Sequence, residues 1–61
     1  MITILSHDEQ RKAVVQPTKD GFTVTHYRRT KNDRWVYNHA AFSSYPLHLV
    51  LDTAHAIVNA R

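Results

Sequence analysis

The sequence has no cysteine, one glycine and two prolines among its 61 residues. Without cysteine the chain can form neither a disulfide nor a thiolate zinc site, and the absence of thiols fits any redox compartment. Because Gly21 is the only glycine, there is no glycine-rich loop to cradle a phosphate group. These absences exclude disulfide-stapled scaffolds, zinc-thiolate domains and enzymes that depend on such a loop.

Long apolar runs are also absent. The longest run, in the last third of the chain, is interrupted by His48 and Asp52 and falls far short of the about 20 residues of a membrane helix. The N-terminal segment has no basic region before its short apolar run, so we do not expect a secretory signal. We therefore expect one small domain over residues 1–61, located in the cytoplasm and without a membrane partner. A chain this short buries a small core, so we also expect a homodimer in which sheet or helix faces pair.

Charge is unevenly distributed along the chain, although the net value is only +3. From Arg11 to Arg34 there are seven basic residues and two acidic ones, a local balance of 7 − 2 = +5. This distribution predicts positive potential on the first hairpins, which favours a polyanion or an acidic protein surface as partner. The alternative is that basic loops only keep a small sheet in solution and protect its edges.

Two runs, FTVTHYRRT and RWVYNHAAF, alternate with the period of two that a strand imposes. If residues 31–33 form the loop of a hairpin, Thr30 lies opposite Arg34. The two residues of each further cross-strand pair then have numbers that sum to 64. One face is then mostly apolar and carries the pairs Phe22–Phe42, Val24–Ala40 and Arg28–Val36. The other face carries Thr23, Thr25, Tyr27, Arg29, Trp35, Tyr37 and His39.

Upstream of this hairpin we predict two more strands. Residues 2–5 form a short strand candidate, and residues 6–12 are interpreted as a charged loop, although Ser6 and Glu9 could form a helical capping box. A second strand, residues 13–18, ends near Pro17, and Asp20-Gly21 predicts a two-residue type I′ turn. That turn sets the pairs Val15–His26 and Pro17–Val24, so Ala13, Val15 and Pro17 join the apolar face.

After Phe42 the apolar period changes to 3.6, which predicts a helix from about Pro46 to Ala60 capped by Ser43 or Ser44. Its apolar stripe should pack on Phe22, Val24, Val36 and Phe42. The stripe consists of Leu47, Val50, Leu51, Ala54, Ile57 and Val58. The predicted fold is α+β, a three- to four-stranded antiparallel sheet with one C-terminal helix packed on one face.

This outline resembles the architecture of small single-strand-binding domains such as the transcriptional coactivator positive cofactor four. The resemblance is one of element order, without a shared residue motif. It implies dimerisation and binding of single strands.

The polar side of the predicted helix aligns His48, Asp52, His55 and Asn59 at spacings of four, three and four residues. Imidazole and carboxylate groups on adjacent turns could hold Zn²⁺ or Ni²⁺, with His7, His39 or a second subunit completing the site. A structural zinc site takes four protein ligands, and the helix supplies at most three. A solvated helix face is therefore the favoured interpretation, and we predict no cofactor.

The basic, aromatic face of the hairpin predicts binding and not catalysis. Ser6, Ser43 and Ser44 lie in no nucleophile motif, and so short a chain can barely enclose a cleft, so we do not expect an enzyme. Aromatic rings can stack on the bases of single-stranded DNA or RNA while cationic side chains contact its phosphates. Tyr, Trp and Arg also dominate protein–protein hot spots, so an adaptor or inhibitor that docks on a larger macromolecule is the alternative. The candidate binding residues are Tyr27, Arg29, Lys31, Arg34, Trp35, Tyr37, His39 and Lys19, with Arg11 or Lys12 nearby.

Overall fold

A four-stranded antiparallel sheet carries one helix on one of its faces, which confirms the predicted α+β fold. The computed structural model describes residues 1–60. The strands β1 (Ile2–Leu5), β2 (Arg11–Pro17), β3 (Phe22–Arg29) and β4 (Trp35–Ser43) lie in chain order across the sheet. The helix α1 (Leu47–Val58) follows them. No helix in residues 1–60 is long and apolar enough to span a bilayer.

The loop between β3 and β4 has the length that the sequence predicts. Thr30 donates its N–H to the Arg34 carbonyl at 2.8 Å, and Asp33 donates its N–H to the Thr30 carbonyl at 3.1 Å. Asp33 has a φ of 59°. A turn followed by one left-handed residue is a common three-residue hairpin loop, and aspartate tolerates that conformation. Next to this loop the register is the predicted one, with Arg28 opposite Val36.

A β-bulge then changes the register of β4. Tyr27 pairs with Tyr37, whereas the preceding residue His26 pairs with His39, so Asn38 is an extra residue. Beyond Asn38 every β4 side chain lies on the opposite face from the one that regular alternation predicts. The predicted pairs Val24–Ala40 and Phe22–Phe42 are therefore wrong. The observed pairs are Val24–Ala41, Thr23–Phe42 and Phe22–Ser43.

The register between β2 and β3 differs from the prediction by two residues. Val15 pairs with Val24 and Pro17 with Phe22, so the predicted pairings are wrong, but an even shift leaves the assignment of faces correct. Gly21 has no positive φ, so the predicted type I′ turn at Asp20-Gly21 is wrong as well. A Cβ atom at Gly21 would instead collide with the Ser43 carbonyl oxygen of β4. Glycine is needed here for close approach of two backbones.

The core lies between α1 and the strands β1, β2 and β3. Val50, Ala54 and Val58 of the predicted helix stripe are buried, while Leu51 and Ile57 are half-buried and Leu47 is exposed. The helix does not cover β4, so the prediction that Val36 and Phe42 pack against it is wrong. The buried apolar residues are Ile4, Ala13, Val15, Val24, Val50, Ala54 and Val58.

The start of α1 also differs from the prediction. Pro46 occupies the N-cap position, and no side chain forms a capping hydrogen bond there. Ser43 is the last residue of β4, and its hydroxyl oxygen accepts the Tyr45 N–H at 3.2 Å. The serines before the helix therefore belong to the strand and the connection, and the expectation that one of them caps the helix is wrong.

Candidate functional site

The second face of the sheet has no helix on it and is called the open face. Cross-strand pairing aligns Lys12 of β2, Tyr27 of β3 and Tyr37 of β4 in one row across this face. Arg29 and Trp35 form the next pair toward the β3–β4 loop. These five residues, Lys12, Tyr27, Arg29, Trp35 and Tyr37, are called the aromatic-basic cluster. Four of them are residues that the sequence predicts for a binding surface, and the structure brings them together.

Two cations converge on the indole ring of Trp35. Lys12 Nζ lies 4.6 Å from the ring centroid, and Arg29 Cζ lies 4.7 Å from it. Lys12 Nζ is also 5.2 Å from the centroid of Tyr27, whose ring meets Tyr37 edge-on at 6.3 Å between centroids. Cation–π attraction and edge-to-face packing hold these side chains in one arrangement. The open face thus presents ordered π surfaces beside ordered positive charge.

Solvent reaches the members of the aromatic-basic cluster unequally. Tyr37 is 60% exposed, whereas Tyr27, Arg29 and Trp35 are half-buried. Arg29 Nε is buried and has no hydrogen-bond partner within residues 1–60. Tyr37 is therefore the most exposed ring of the cluster, and Trp35 is partly covered by its two cations.

Basic residues are concentrated at the end of the sheet that carries the β1–β2 and β3–β4 loops. These loops are neighbours, since Arg29 donates its N–H to the Gln10 carbonyl at 2.7 Å. Three acidic residues, Asp8, Glu9 and Asp33, share this basic end with six cations, a balance of 6 − 3 = +3. The cations are Arg11, Lys12, Arg28, Arg29, Lys31 and Arg34.

The remaining predicted cations are placed as follows. Lys31 and Arg34 are exposed in the loop next to Trp35. Lys19 lies in the β2–β3 turn at the other end of β3, which at about 3.3 Å per residue is roughly 25 Å away. The structure therefore does not bring Lys19 to the aromatic-basic cluster. Of the two further cations that the sequence offers, Lys12 lies on the open face because it pairs with Tyr27, whereas Arg11 lies on the helix side.

His39 is on the helix side of the sheet and not on the open face, so its predicted placement is wrong because of the bulge at Asn38. Its ring lies 5.0 Å from that of His26, at an interplanar angle of 74°. His26 is buried, its Nδ1 lies 3.4 Å from Asn38 Nδ2, and its Nε2 has no partner within residues 1–60. Burial, followed by the charges of His39 and Arg11, lowers the pKa of His26 below its ordinary 6.5.

The histidines and aspartate of the predicted helix face, His48, Asp52 and His55, are all exposed. In the part of the chain that the structure describes, no three His, Cys, Asp or Glu side chains are arranged to hold a metal ion. Asn59, the fourth residue of that face, has a structural contact. Its Oδ1 accepts the His7 N–H at 3.0 Å, which ties the end of α1 to the β1–β2 loop.

Ser6 organises the β1–β2 loop. Its buried hydroxyl donates to Asp8 Oδ1 at 2.6 Å and accepts the Arg11 N–H at 3.0 Å. The Ser6 hydrogen bond, and then that from the Gln10 N–H, lower the pKa of Asp8 below 3.8. A cavity of about 180 Å³ lies beside this loop. The serine and the carboxylate bond each other directly, which is the arrangement of a structured turn.

The chain matches no protein-family model, no curated protein and no solved structure. The features that bear on its function are therefore its own, the aromatic-basic cluster and the basic end of the sheet.

Proposed function

We propose that the protein binds single-stranded DNA or RNA on the open face, at the basic end, with little preference for sequence. The observation that carries this proposal is the convergence of Lys12 and Arg29 on Trp35 beside the exposed ring of Tyr37. Single-stranded nucleic acid needs both features, a π surface for its bases and positive charge for its backbone.

In the proposed complex Tyr37 stacks on one base, and the exposed edges of Trp35 and Tyr27 contact its neighbours. Stacking on an aromatic ring is worth roughly 1–3 kcal/mol per base and tolerates every base, because each has a π face. Lys31 and Arg34 flank the cluster in the adjacent loop, where they reach the phosphates. Contacts of this kind weaken steeply with salt because they release counterions.

The proposed role is binding without catalysis. Ser6, the buried serine, donates its hydroxyl to Asp8, and within residues 1–60 no imidazole bonds it. The cluster itself holds aromatic rings and cationic side chains, which bind and orient a polyanion. The cytoplasm, where single strands occur, is the proposed location.

The direct test is titration of a fluorescently labelled oligonucleotide of about 15 nucleotides, followed by anisotropy at about 50 mM and about 200 mM salt. We expect binding at the lower salt and a clear loss of affinity at the higher one. Trp35, the only tryptophan, gives a second readout through quenching of its fluorescence. Absence of binding at the lower salt would contradict the proposal.

A matched pair of aromatic variants locates the site. Tyr37→Ala should weaken binding about 5- to 150-fold, the range that corresponds to loss of one stacked base. Tyr45→Ala is the control, because Tyr45 is 67% exposed but lies beyond β4, outside the cluster. An equal effect of both variants would argue against the open face as the binding surface.

The alternative function is docking on a protein through the same face. Leu5 favours it, because this side chain is 44% exposed and lies beside Lys12 on the open face. An exposed apolar side chain here adjoins Tyr, Trp and Arg, the residue types that dominate protein–protein hot spots. A pull-down from nuclease-treated lysate that recovers a stoichiometric protein, and loses it with Trp35→Ala, would support this alternative if oligonucleotides fail to bind.

A further inference from the structure

The strand β4 forms one edge of the sheet and is its longest strand, with nine residues. It pairs only with β3, and α1 leaves it uncovered. No Asp, Glu, Lys or Arg occurs between Trp35 and Leu51, so the edge lacks the charges that usually protect such strands. Of nine exposed large apolar side chains, six lie in this region: Val36, Tyr37, Phe42, Tyr45, Leu47 and Leu49.

The backbone groups that β4 offers to a partner follow from alternation in an antiparallel ladder. The Arg29 N–H points toward β2, where the Gln10 carbonyl accepts it. Because successive residues of a strand direct their N–H and C=O groups to opposite sides, the odd-numbered residues of β3 bond β2 and the even-numbered residues bond β4. Their pairing partners from the bulge onward are His39, Ala41 and Ser43. The N–H and C=O groups of Ala40 and Phe42, between those residues, therefore point to the free edge.

We infer that two copies of the chain pair antiparallel through β4, about a two-fold axis at Ala41. This register places Ala40 of each copy opposite Phe42 of the second copy, so that outward backbone groups meet outward backbone groups. On the open face, the large Phe42 side chain of one copy therefore lies against the small Ala40 side chain of the other. Pairing spans the regular segment His39–Ser43 and ends where the bulge at Asn38 bends the strand.

An apolar groove of about 220 Å³ lies between β4 and α1, on the helix side of the sheet. Its lining includes Val24, Ala41, Val50 and Ile57. Because Ala41 lies on the two-fold axis, the grooves of the two copies meet there and shield each other from water. The proposed contact thus buries surface on the helix side as well as along the strand.

The exposed area of this region suits an interface of ordinary size. Phe42 and Tyr45 are 59% and 67% exposed. At about 200 Å² for each ring residue they present about 250 Å² together. A standard interface takes about 800 Å² from each partner, so these two side chains supply about a third of it.

Charge does not oppose a second copy as the occupant. Ala41 lies seven residues from Arg34, and the two-fold axis at Ala41 places the basic ends of the two copies at opposite ends of the dimer. At about 3.3 Å per residue the two basic ends are about 45 Å apart, several times the Debye length at physiological salt. Two chains of net charge +3 can therefore meet at β4 without close repulsion. The inference does not depend on the proposed binding of nucleic acid.

Cysteine substitution tests the register directly, because the chain has no cysteine of its own. Ala41→Cys places two thiols in a directly opposed pair at a Cα separation of about 4.5 Å, within the range for a disulfide. Val36→Cys is the control, since Val36 is also an exposed, helix-side residue of β4, but its two copies lie about 33 Å apart in this register. Mild oxidation should cross-link Ala41→Cys at least about tenfold faster than Val36→Cys.

Measurement of mass in solution by light scattering tests the assembly without cross-linking. We expect twice the chain mass of 7.1 kDa at about 100 µM protein. Ala40→Lys should give a monomer that retains its far-UV circular dichroism, whereas Ala56→Lys, at an exposed helix position, should remain a dimer. Three results would overturn the inference: a monomeric wild type, which would leave β4 to an unlike protein, equal cross-linking of the two cysteine variants, or a dimeric Ala40→Lys.

Discussion

The ammonium group of Lys12 on β2 lies 4.6 Å from the indole ring of Trp35 on β4, two strands away. The side chain crosses β3 and passes Tyr27, whose ring centroid is 5.2 Å from the same nitrogen. One cation therefore contacts the rings of two other strands. Because these contacts fix the positions of charge and ring in the free protein, the proposed binding would cost little side-chain entropy.

The first prediction concerns Lys12. Lys12→Ala should weaken oligonucleotide binding about 3- to 10-fold and reduce the slope of log affinity against log salt by about one. Lys19→Ala removes the same charge from the other end of the sheet and should change both quantities less. Anisotropy titrations across a salt series measure both. Equal effects would indicate attraction by net charge alone and would argue against a defined site.

The second prediction is a pH dependence of stability caused by His26. Its pKa in the folded protein is below 6.5, because burial disfavours the charged imidazole and His39 and Arg11 repel it. The unfolded chain therefore binds a proton first as the pH falls. The stabilising contribution is complete above about pH 6.5 and is lost below it, at up to about 1.4 kcal/mol per pH unit.

Denaturant unfolding between about pH 7 and about pH 5 measures this loss. His26→Phe should flatten the dependence, because it removes the buried titrating group and its unpartnered Nε2. His48→Gln changes an exposed histidine of α1 and should leave the dependence as in the wild type. A wild-type slope that persists in His26→Phe would assign the effect to other groups.

The third prediction uses the left-handed residue of the β1–β2 loop. Glu9 has a φ of 58°, a conformation that costs a non-glycine residue roughly 1–2 kcal/mol. Glu9→Gly should raise the free energy of unfolding by about 0.5–1 kcal/mol, since glycine relieves the strain but adds unfolded-state entropy. Gln10→Gly is the neighbouring control. With no positive φ to relieve, it should lower stability by a similar amount, and a loss in both variants would contradict the prediction.

The fourth prediction concerns the close approach of the β2–β3 turn to β4. Gly21→Ala should lower the free energy of unfolding by roughly 1–3 kcal/mol, because the new methyl group meets the Ser43 carbonyl oxygen. Asp20→Ala, at the exposed tip of the same turn, should stay within about 0.5 kcal/mol of the wild type. Thermal and denaturant unfolding measure both, and an unchanged Gly21→Ala would show that the two backbones separate readily.

Local signals in the sequence were sufficient for the fold and for the β3–β4 loop. Alternation from Phe22 to Arg29 sets the faces of β3, and residues 31–33 separate the two strands by a common loop length. The helix stripe is equally local, and Val50, Ala54 and Val58 are buried as it predicts. Each signal arises from neighbours in the chain, so it needs no knowledge of the rest of the protein.

Features that depend on contacts between distant segments were not predictable. The residues around Asn38 carry no local signal that predicts a bulge. That bulge nevertheless moves Ala40 and Phe42 from the predicted helix side to the open face. Asp20-Gly21 predicts a type I′ turn, but Gly21 is required by the nearby backbone of Ser43. In the site, the sequence predicts the rings and Arg29, while the reach of Lys12 to Trp35 depends on the order of the strands.

The bulge at Asn38 has a consequence for how the chain tolerates change in length. Because Asn38 is the unpaired residue, its deletion leaves Tyr37 opposite Tyr27 and His39 opposite His26, and the ladder becomes regular. The segment His39–Ser43 keeps its faces, so Phe42 stays on the open face and Ala41 on the helix side. The bulge thus lets β4 lose one residue at this point without turning over, whereas a deletion within the regularly paired strand β3 would turn the rest of that strand over.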